Sequence, residues 1–299
     1  MRLSGGFDLQ GHRGARGLFP ENTLEGFAAG AALGLTSFET DIAITRDGVP
    51  VLHHDSSLHP DVARLPDGRW IEQRTLIRSM PLADLQRVDV GRLRPGSAEA
   101  ARFPDQVAHD GARVPTLAAL LEAQPGCRFN IELKLFPDHP EWTIPAATMV
   151  ETVLDVVDRA GAAGRVTIQS FDWRAPRYGR SLRPDIARGW LTEARTIAAA
   201  PLWRGLDDAP AALDAVPDAI VAEGGGTWAP FHAELTEDLL DCAHDAGLLV
   251  IPWTVNDPAA MRRLVDWGVD GLITDRPDLA LGVLPLGAPE RPGRENSKT

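Results

Sequence analysis

Short apolar, β-rich runs alternate with helix-patterned segments along most of this chain. No other feature constrains the fold as much. Strands are expected near Phe7–His12, Ser37–Thr45, Arg128–Lys134, Val166–Phe171, Ile186–Leu191, Ala219–Ala222, Leu248–Thr254 and Gly271–Thr274. Helices are expected over Leu24–Leu33, Leu117–Ala123, Ala146–Ala160, Thr236–Ala246 and Pro258–Trp267. Thr236 suits a helix cap, because its hydroxyl can accept from a free backbone N–H and acidic residues follow in the first turn. Gly34, Gly161, Gly247 and Gly268 stand where helices should stop. Strand then helix, eight times over, predicts an α/β protein with a (β/α)8 barrel (TIM barrel) rather than an open sheet. A length of 299 residues fits one such domain.

Two segments break the alternation. Residues 56–113 follow the second strand and its hairpin. They carry nine arginines, no lysine and one short helical patch around Leu82–Val88. This segment reads as an insertion over the mouth of a barrel that spans residues 1–285. The end of the chain over 286–299, which holds the polar run "GAPERPGRENSKT" from Gly287, reads as a disordered tail.

Hydrophobic residues make up 44% of the chain, enough for a full core, and the net charge is −12. That charge argues against nucleic acid or an anionic membrane surface as a main partner. It also means that an anionic substrate would need local cations or a metal. Two cysteines, Cys127 and Cys242, make no disulfide framework. With no apolar leader and no run of spanning length, a cytoplasmic location without stable membrane insertion is expected.

In a barrel, ligands bind at the carboxyl ends of the strands. His12 ends the first strand, beside Arg13. In "SFETDIAIT" the carboxylates Glu39 and Asp41 lie two apart, hence on one face. In "RFNIELK", Phe129, Ile131 and Leu133 alternate with Asn130, Glu132 and Lys134, so the polar set should point inward. Three carboxylates on neighbouring strands repel one another unless they share a cation or shift their pKa. With no cysteine near, an all-oxygen site suits Mg²⁺ or Ca²⁺. Buried ion pairs, Glu132 with Lys134 or Glu39 with Arg13, are the structural alternative. An Asp47–Gly48 turn signals a hairpin. A two-residue loop would pair Arg46 with Val49 and set His54 opposite Asp41, returning a histidine to the carboxylates. His53 would then face away and be structural. Two histidines beside a cation suit paired general acid and base work on an anionic centre.

"GHRG", "PENT", "FETD", "VLHHD" and "IELK" together resemble the glycerophosphodiester phosphodiesterase family, in its order. The resemblance continues through "QSFDW", "WTVND" and "GLITDRP" and covers nearly the whole barrel. It implies a metal-dependent (β/α)8 phosphodiesterase that releases glycerol 3-phosphate and an alcohol from a small glycerophosphodiester. Carried over position by position, it implies catalytic His12 and His54, metal ligands Glu39, Asp41 and Glu132 for one divalent cation, and phosphate contacts from Arg13 and Lys134. It also implies an aromatic pocket wall at Trp253. The sequence leaves open which histidine is the acid. "VAEGGGTW" is richer in glycine than the family pattern and reads as a flexible loop after the sixth strand. Asn22 reads as a helix cap, and Asp275 as a residue that holds the last loop. Trp142, Trp173, Trp190 and Trp267 read as packing residues. A phospholipase D-type activity on lysophospholipids would want an apolar rim. A non-catalytic phosphodiester-binding barrel should have lost a histidine or carboxylate, and all five are present.

Overall fold

The computed structural model describes residues 6–207 and 209–284. The tail expected over 286–299 lies outside the described residues. The strands are β1 Asp8–His12, β2 Ser37–Ile44, β3 Pro50–Leu52, β4 Arg128–Leu133, β5 Val166–Ser170, β6 Ala187–Thr192, β7 Thr227–Pro230, β8 Leu249–Val250 and β9 Gly271–Thr274. All but β3 pair in parallel, in the order β8-β7-β6-β5-β4-β2-β1-β9. Backbone bonds from Asp270 N to Val250 O and from Ile273 N to Pro252 O bring the two ends of that order together. The result is a (β/α)8 barrel, as the alternation predicts.

Strand alternation sorts the side chains. On β2 and β4, Phe38, Ile42, Phe129, Ile131 and Leu133 face the helices and join the main core. Phe27 from the first helix meets Phe38 and Phe129 edge-on, with ring centroids 5.4 and 6.0 Å apart. The opposite faces point into the barrel. Partway up, Asn130 donates to Gln10 at 3.1 Å and to Gln169 at 2.9 Å. This amide belt joins three strands through both Asn130 N–H bonds, leaves the Asn130 Oδ1 without a hydrogen bond, and forms a floor beneath the carboxyl ends of the strands. Thr23, Thr116, Thr236 and Asp257 cap their helices by accepting a backbone N–H. Thr236 therefore caps as expected, whereas Asn22 does not cap at all.

The sixth strand is a correction. Residues 219–222 belong to a helix, Val216–Ala222, and the strand is β7 at Thr227–Pro230. Val216 and Ile220 are buried four residues apart while Val221 is 45% exposed, which is helical spacing. Over four residues, an apolar run looks the same in a buried strand and a buried helix. Gly224, Gly225 and Gly226 all have positive φ and turn the chain from helix to strand. A Cβ at Gly226 would stand 2.6 Å from the carbonyl oxygen of Arg188. The three glycines therefore form a tight turn at the foot of the barrel, not a loop at its mouth.

The hairpin register is a second correction. Ile42 pairs with Leu52 and Ile44 with Pro50, so the loop has three residues, not two. His53, not His54, stands opposite Asp41, its N–H donating to the Asp41 carbonyl at 3.0 Å.

Between β3 and β4 the chain builds a second small core from residues such as Leu58, Ile71, Ile77, Leu85, Val88 and Val90. The helical patch is present at Leu82–Leu85. Several of its arginines are structural: Arg64 bridges Asp89 and Asp110, Arg92 pairs with Asp110, and Arg113 donates to the Arg87 carbonyl. Arg74 and Arg102 reach the cavity at the mouth.

In "GHRG", Gly11 is set by close approach, since a Cβ there would lie 2.0 Å from the Gly14 carbonyl oxygen. Gly11→Ala is expected to destabilise the fold by about 1–3 kcal/mol, the usual scale of overpacking, read by chemical denaturation. An unchanged midpoint would contradict this reading of the β1 turn.

Candidate active site

A cavity of about 450 Å³ opens at the carboxyl ends of the strands. His12, Arg13, Glu39, His54, Glu132, Lys134 and Trp253 all line it, and Asp41 lies directly beneath, fully buried. All eight residues singled out from the sequence therefore converge.

Glu39, Asp41 and Glu132 each offer an oxygen, and these atoms lie within 4.8 Å of one another. Burial raises the Glu39 carboxyl well above its ordinary range, with the Asp41 and Glu132 charges adding to the rise. Glu132 is raised chiefly by burial, against the pull of Lys134, whose Nζ lies 2.7 Å from it. Burial would raise Asp41 too, but Arg13, His54 and Lys134 hold it far below its usual value. Arg13 Nε stands 3.1 Å from Asp41 Oδ2, and Asn22 Nδ2 donates to the same oxygen at 3.0 Å. The other oxygen, Oδ1, is buried and accepts no hydrogen bond. That acceptor, with Lys134 Nζ 3.7 Å away and too far to hydrogen-bond, lies beside two carboxylates displaced upward, and such a site fits a hard cation.

The "PENT" segment explains itself residue by residue. Glu21 takes Arg13 Nη1 at 3.1 Å and Arg16 Nε at 2.5 Å, and despite its burial these cations hold its carboxyl down to about 2. Asn22 braces Asp41 and accepts from Thr40 Oγ1 at 2.9 Å. Thr23 caps the helix. Arg13 and Asn22 both hold positive φ, 51° and 53°, unusual for residues with a Cβ. The Asn22 N–H donates to the Arg13 carbonyl at 3.0 Å, locking the two strained residues together.

His12 Nδ1 lies 2.5 Å from Asp275 Oδ1, and Nε2 lies 3.7 Å from Glu39. Asn256 donates to Asp275 Oδ2 at 2.7 Å, and its own oxygen accepts the Asp275 N–H at 2.9 Å. Burial lowers the His12 pKa, against the pull of Asp275. His54 Nδ1 lies 2.7 Å from Asp55 Oδ1. Burial, Arg13 and Lys134 push His54 down to about 4. His54 arrives here through the bend after β3 rather than through the ladder. His53, expected to face away, also lines the cavity, with Nδ1 2.8 Å from the Asp55 carbonyl oxygen.

Sequence reasoning missed Asp275, Asn256, Glu21 and Arg16. All four lie inside motifs already quoted or a few residues from one. Nothing local distinguishes Asp275 from a loop aspartate, because its partner His12 is 263 residues away. The aromatic side of the cavity is Phe171 and Trp253, ring centroids 5.3 Å apart, with Trp253 Nε1 anchored on the Ala229 carbonyl at 2.8 Å.

Comparison with known proteins gives the family. The model of the glycerophosphoryl diester phosphodiesterase family matches residues 12–279. The Mycobacterium tuberculosis protein named "Probable glycerophosphodiester phosphodiesterase 2" is 32% identical, over 94% of this chain and 91% of its own. The glycerophosphodiester phosphodiesterase of Bacillus subtilis is 29% identical over 90% of this chain and 83% of its own. A crystal structure from Silicibacter pomeroyi DSS-3, described under the name glycerophosphoryl diester phosphodiesterase, superposes with a TM-score of 0.84 at 35% identity. It covers 94% of this chain, which covers 95% of it. The phosphodiesterase of Oleispira antarctica solved with its product sn-glycerol-3-phosphate shares the fold, with a TM-score of 0.69 at 22% identity over 92% of this chain and 96% of its own. The chain therefore belongs to the glycerophosphoryl diester phosphodiesterase family and is an enzyme of that class.

Proposed function

We propose that the enzyme hydrolyses small, deacylated glycerophosphodiesters to glycerol 3-phosphate and an alcohol, with one divalent cation, Mg²⁺ or Ca²⁺, held by Glu39, Asp41 and Glu132. The observation that carries the cation is the carboxylate cluster, in which Asp41 Oδ1 accepts no hydrogen bond. A cation bound there supplies positive charge against the negative charge that develops on the phosphate. Arg13 and Lys134, on either side of Asp41, grip the phosphate oxygens. Product binding by the Oleispira antarctica relative supports glycerol 3-phosphate as the product retained. The charged lining of the cavity favours a deacylated diester over a lysophospholipid.

In this mechanism His12 is the base. Its Nδ1 is committed to Asp275, which leaves Nε2 to accept the proton of the glycerol hydroxyl next to the ester as that oxygen attacks phosphorus. As the new P–O bond forms, the bond to the alcohol breaks and leaves a cyclic phosphate, which water then opens to glycerol 3-phosphate. His54 protonates the departing oxygen once it is charged: the anionic phosphate, seated between it and the Arg13 and Lys134 charges that hold its pKa down, raises that pKa, and Asp55 orients the ring. Asp275 and Asp55 act as positioning residues. Trp253 and Phe171 form the wall for the glycerol end. A coupled glycerol 3-phosphate assay across several glycerophosphodiesters, with and without chelator, tests the whole reading. Faster hydrolysis of bis(p-nitrophenyl) phosphate than of every glycerophosphodiester at equal concentration would contradict a glycerol-reading pocket.

A further inference from the structure

A second cavity, of about 440 Å³, lies next to the first and shares His54, Asp55 and Arg74 with it. The rest of its lining is Leu76, Phe136, Trp142, Ser56 and Ser57. The phosphodiesterase reading above does not use it. We propose that this cavity is the leaving-group subsite, and that it selects a methylated ammonium (choline-type) headgroup over a primary ammonium or a polyol. The proposal rests on the phosphodiesterase reading.

Position comes first. A diester has two substituents, and the phosphate between them must sit against Arg13, Lys134 and the carboxylates. One substituent then lies along Phe171 and Trp253. The other is directed past His54, the group proposed to protonate the departing oxygen, and so enters the second cavity.

Chemistry selects the headgroup. Phe136 and Trp142 form an aromatic corner, with ring centroids 5.6 Å apart and planes at 66°. The corner is preorganised. His139 stacks on Trp142 at 3.9 Å and 9°, and Arg78 Nη1 fixes the flanking backbone through the carbonyls of Glu141 at 2.6 Å and Thr143 at 2.8 Å. The charges at the shared edge cancel, since Arg74 Nη1 lies 3.1 Å from Asp55 Oδ2. Few polar atoms remain for a guest, and Ser57 is itself buried. A polyol would give up water for hydroxyls it cannot partner. A primary ammonium is strongly hydrated and carries the same penalty. A trimethylammonium group spreads its charge over methyl groups, loses little hydration and is attracted to aromatic faces.

The test is kcat/KM of the full chain with Mg²⁺ on glycerophosphocholine, glycerophosphoethanolamine and glycerophosphoglycerol, for wild type, Trp142→Ala and Phe136→Leu. Wild type should prefer the choline diester by about tenfold, and Trp142→Ala should erase that preference mainly through KM while leaving the other two diesters within about twofold. Phe136→Leu should weaken the preference in the same direction, and it supplies the comparison if Trp142→Ala melts early. Turnover of all three diesters with selectivity unchanged in both variants overturns the subsite and leaves the phosphodiesterase reading standing. So does an equal loss on all three substrates. No turnover of any diester overturns both.

Discussion

Exhaustive removal of divalent ions is expected to stop turnover of every glycerophosphodiester, and Mg²⁺ or Ca²⁺ to restore it. Three carboxylates with oxygens within 4.8 Å of one another, all buried, repel strongly without a compensating charge. Arg13 and Lys134 offset part of this, but Glu39 and Glu132 are still pushed up and Asp41 Oδ1 still accepts no hydrogen bond. A bound cation relieves all three conditions together. It should therefore stabilise the fold as well as enable the reaction, by about 2.7 kcal/mol at a hundred times its Kd. Thermal melting thus gives a readout independent of activity. Glu39→Gln removes one of the repelling charges. The ion-free variant should melt at or above ion-free wild type, yet gain little from added Mg²⁺ or Ca²⁺. Asp41→Asn should lower kcat/KM by at least about 100-fold at fixed ion concentration, since altering even groups that merely support metal ligands typically costs 10–100-fold. Full activity after the ion is shown to be gone, or an equal thermal shift in Glu39→Gln and wild type, would sink the cation site.

The parts of this molecule that were legible in the sequence are those governed by local rules. Strand alternation alone pointed Glu39, Asp41 and Glu132 inward and sent Phe38, Ile42 and Phe129 to the helices. Where two local solutions differ little in energy, the sequence misled. A two-residue and a three-residue hairpin both satisfy an Asp-Gly turn, so the ladder register slipped by one and put His53 opposite Asp41. His54 reaches the site because the chain bends after Leu52, which no periodicity encodes. Ala219–Ala222 could be strand or helix on its own. The burial of Val216 and Ile220 against the barrel decided for helix. Interactions closed only by the completed ring were not legible. Asp275 meets His12 because β9 pairs with β1, and Asn22 meets Asp41 because a strained left-handed turn brings it there.

His12→Ala and His54→Ala are each expected to lower kcat by about 10²-fold or more, the usual cost of losing a general acid or base. The two losses should differ in how they are shared with supporting residues. His12 is 9% exposed and braced by Asp275, itself fixed from two sides by Asn256. With its Nδ1–H given to Asp275, only Nε2 is left to take a proton. Asp275→Asn offers an amide in place of the carboxylate, so the tautomer and the stabilisation of the imidazolium are both lost. Its kcat should fall by about tenfold or more with KM nearly unchanged, because the group never touches substrate. His54 is more open, its side chain 35% exposed, and it borders both cavities. If it protonates the departing alcohol, His54→Ala should hurt least on a diester whose leaving group needs no proton. A p-nitrophenyl ester of glycerol 3-phosphate should recover much of the loss in His54→Ala and little of it in His12→Ala. His53, opposite Asp41 in the ladder but tied to the Asp55 carbonyl, serves as the control, and His53→Ala should cost much less than either. Recovery in His12→Ala instead would exchange the two roles, and a crippled His53→Ala beside a mild His54→Ala would give the chemistry to the neighbouring ring.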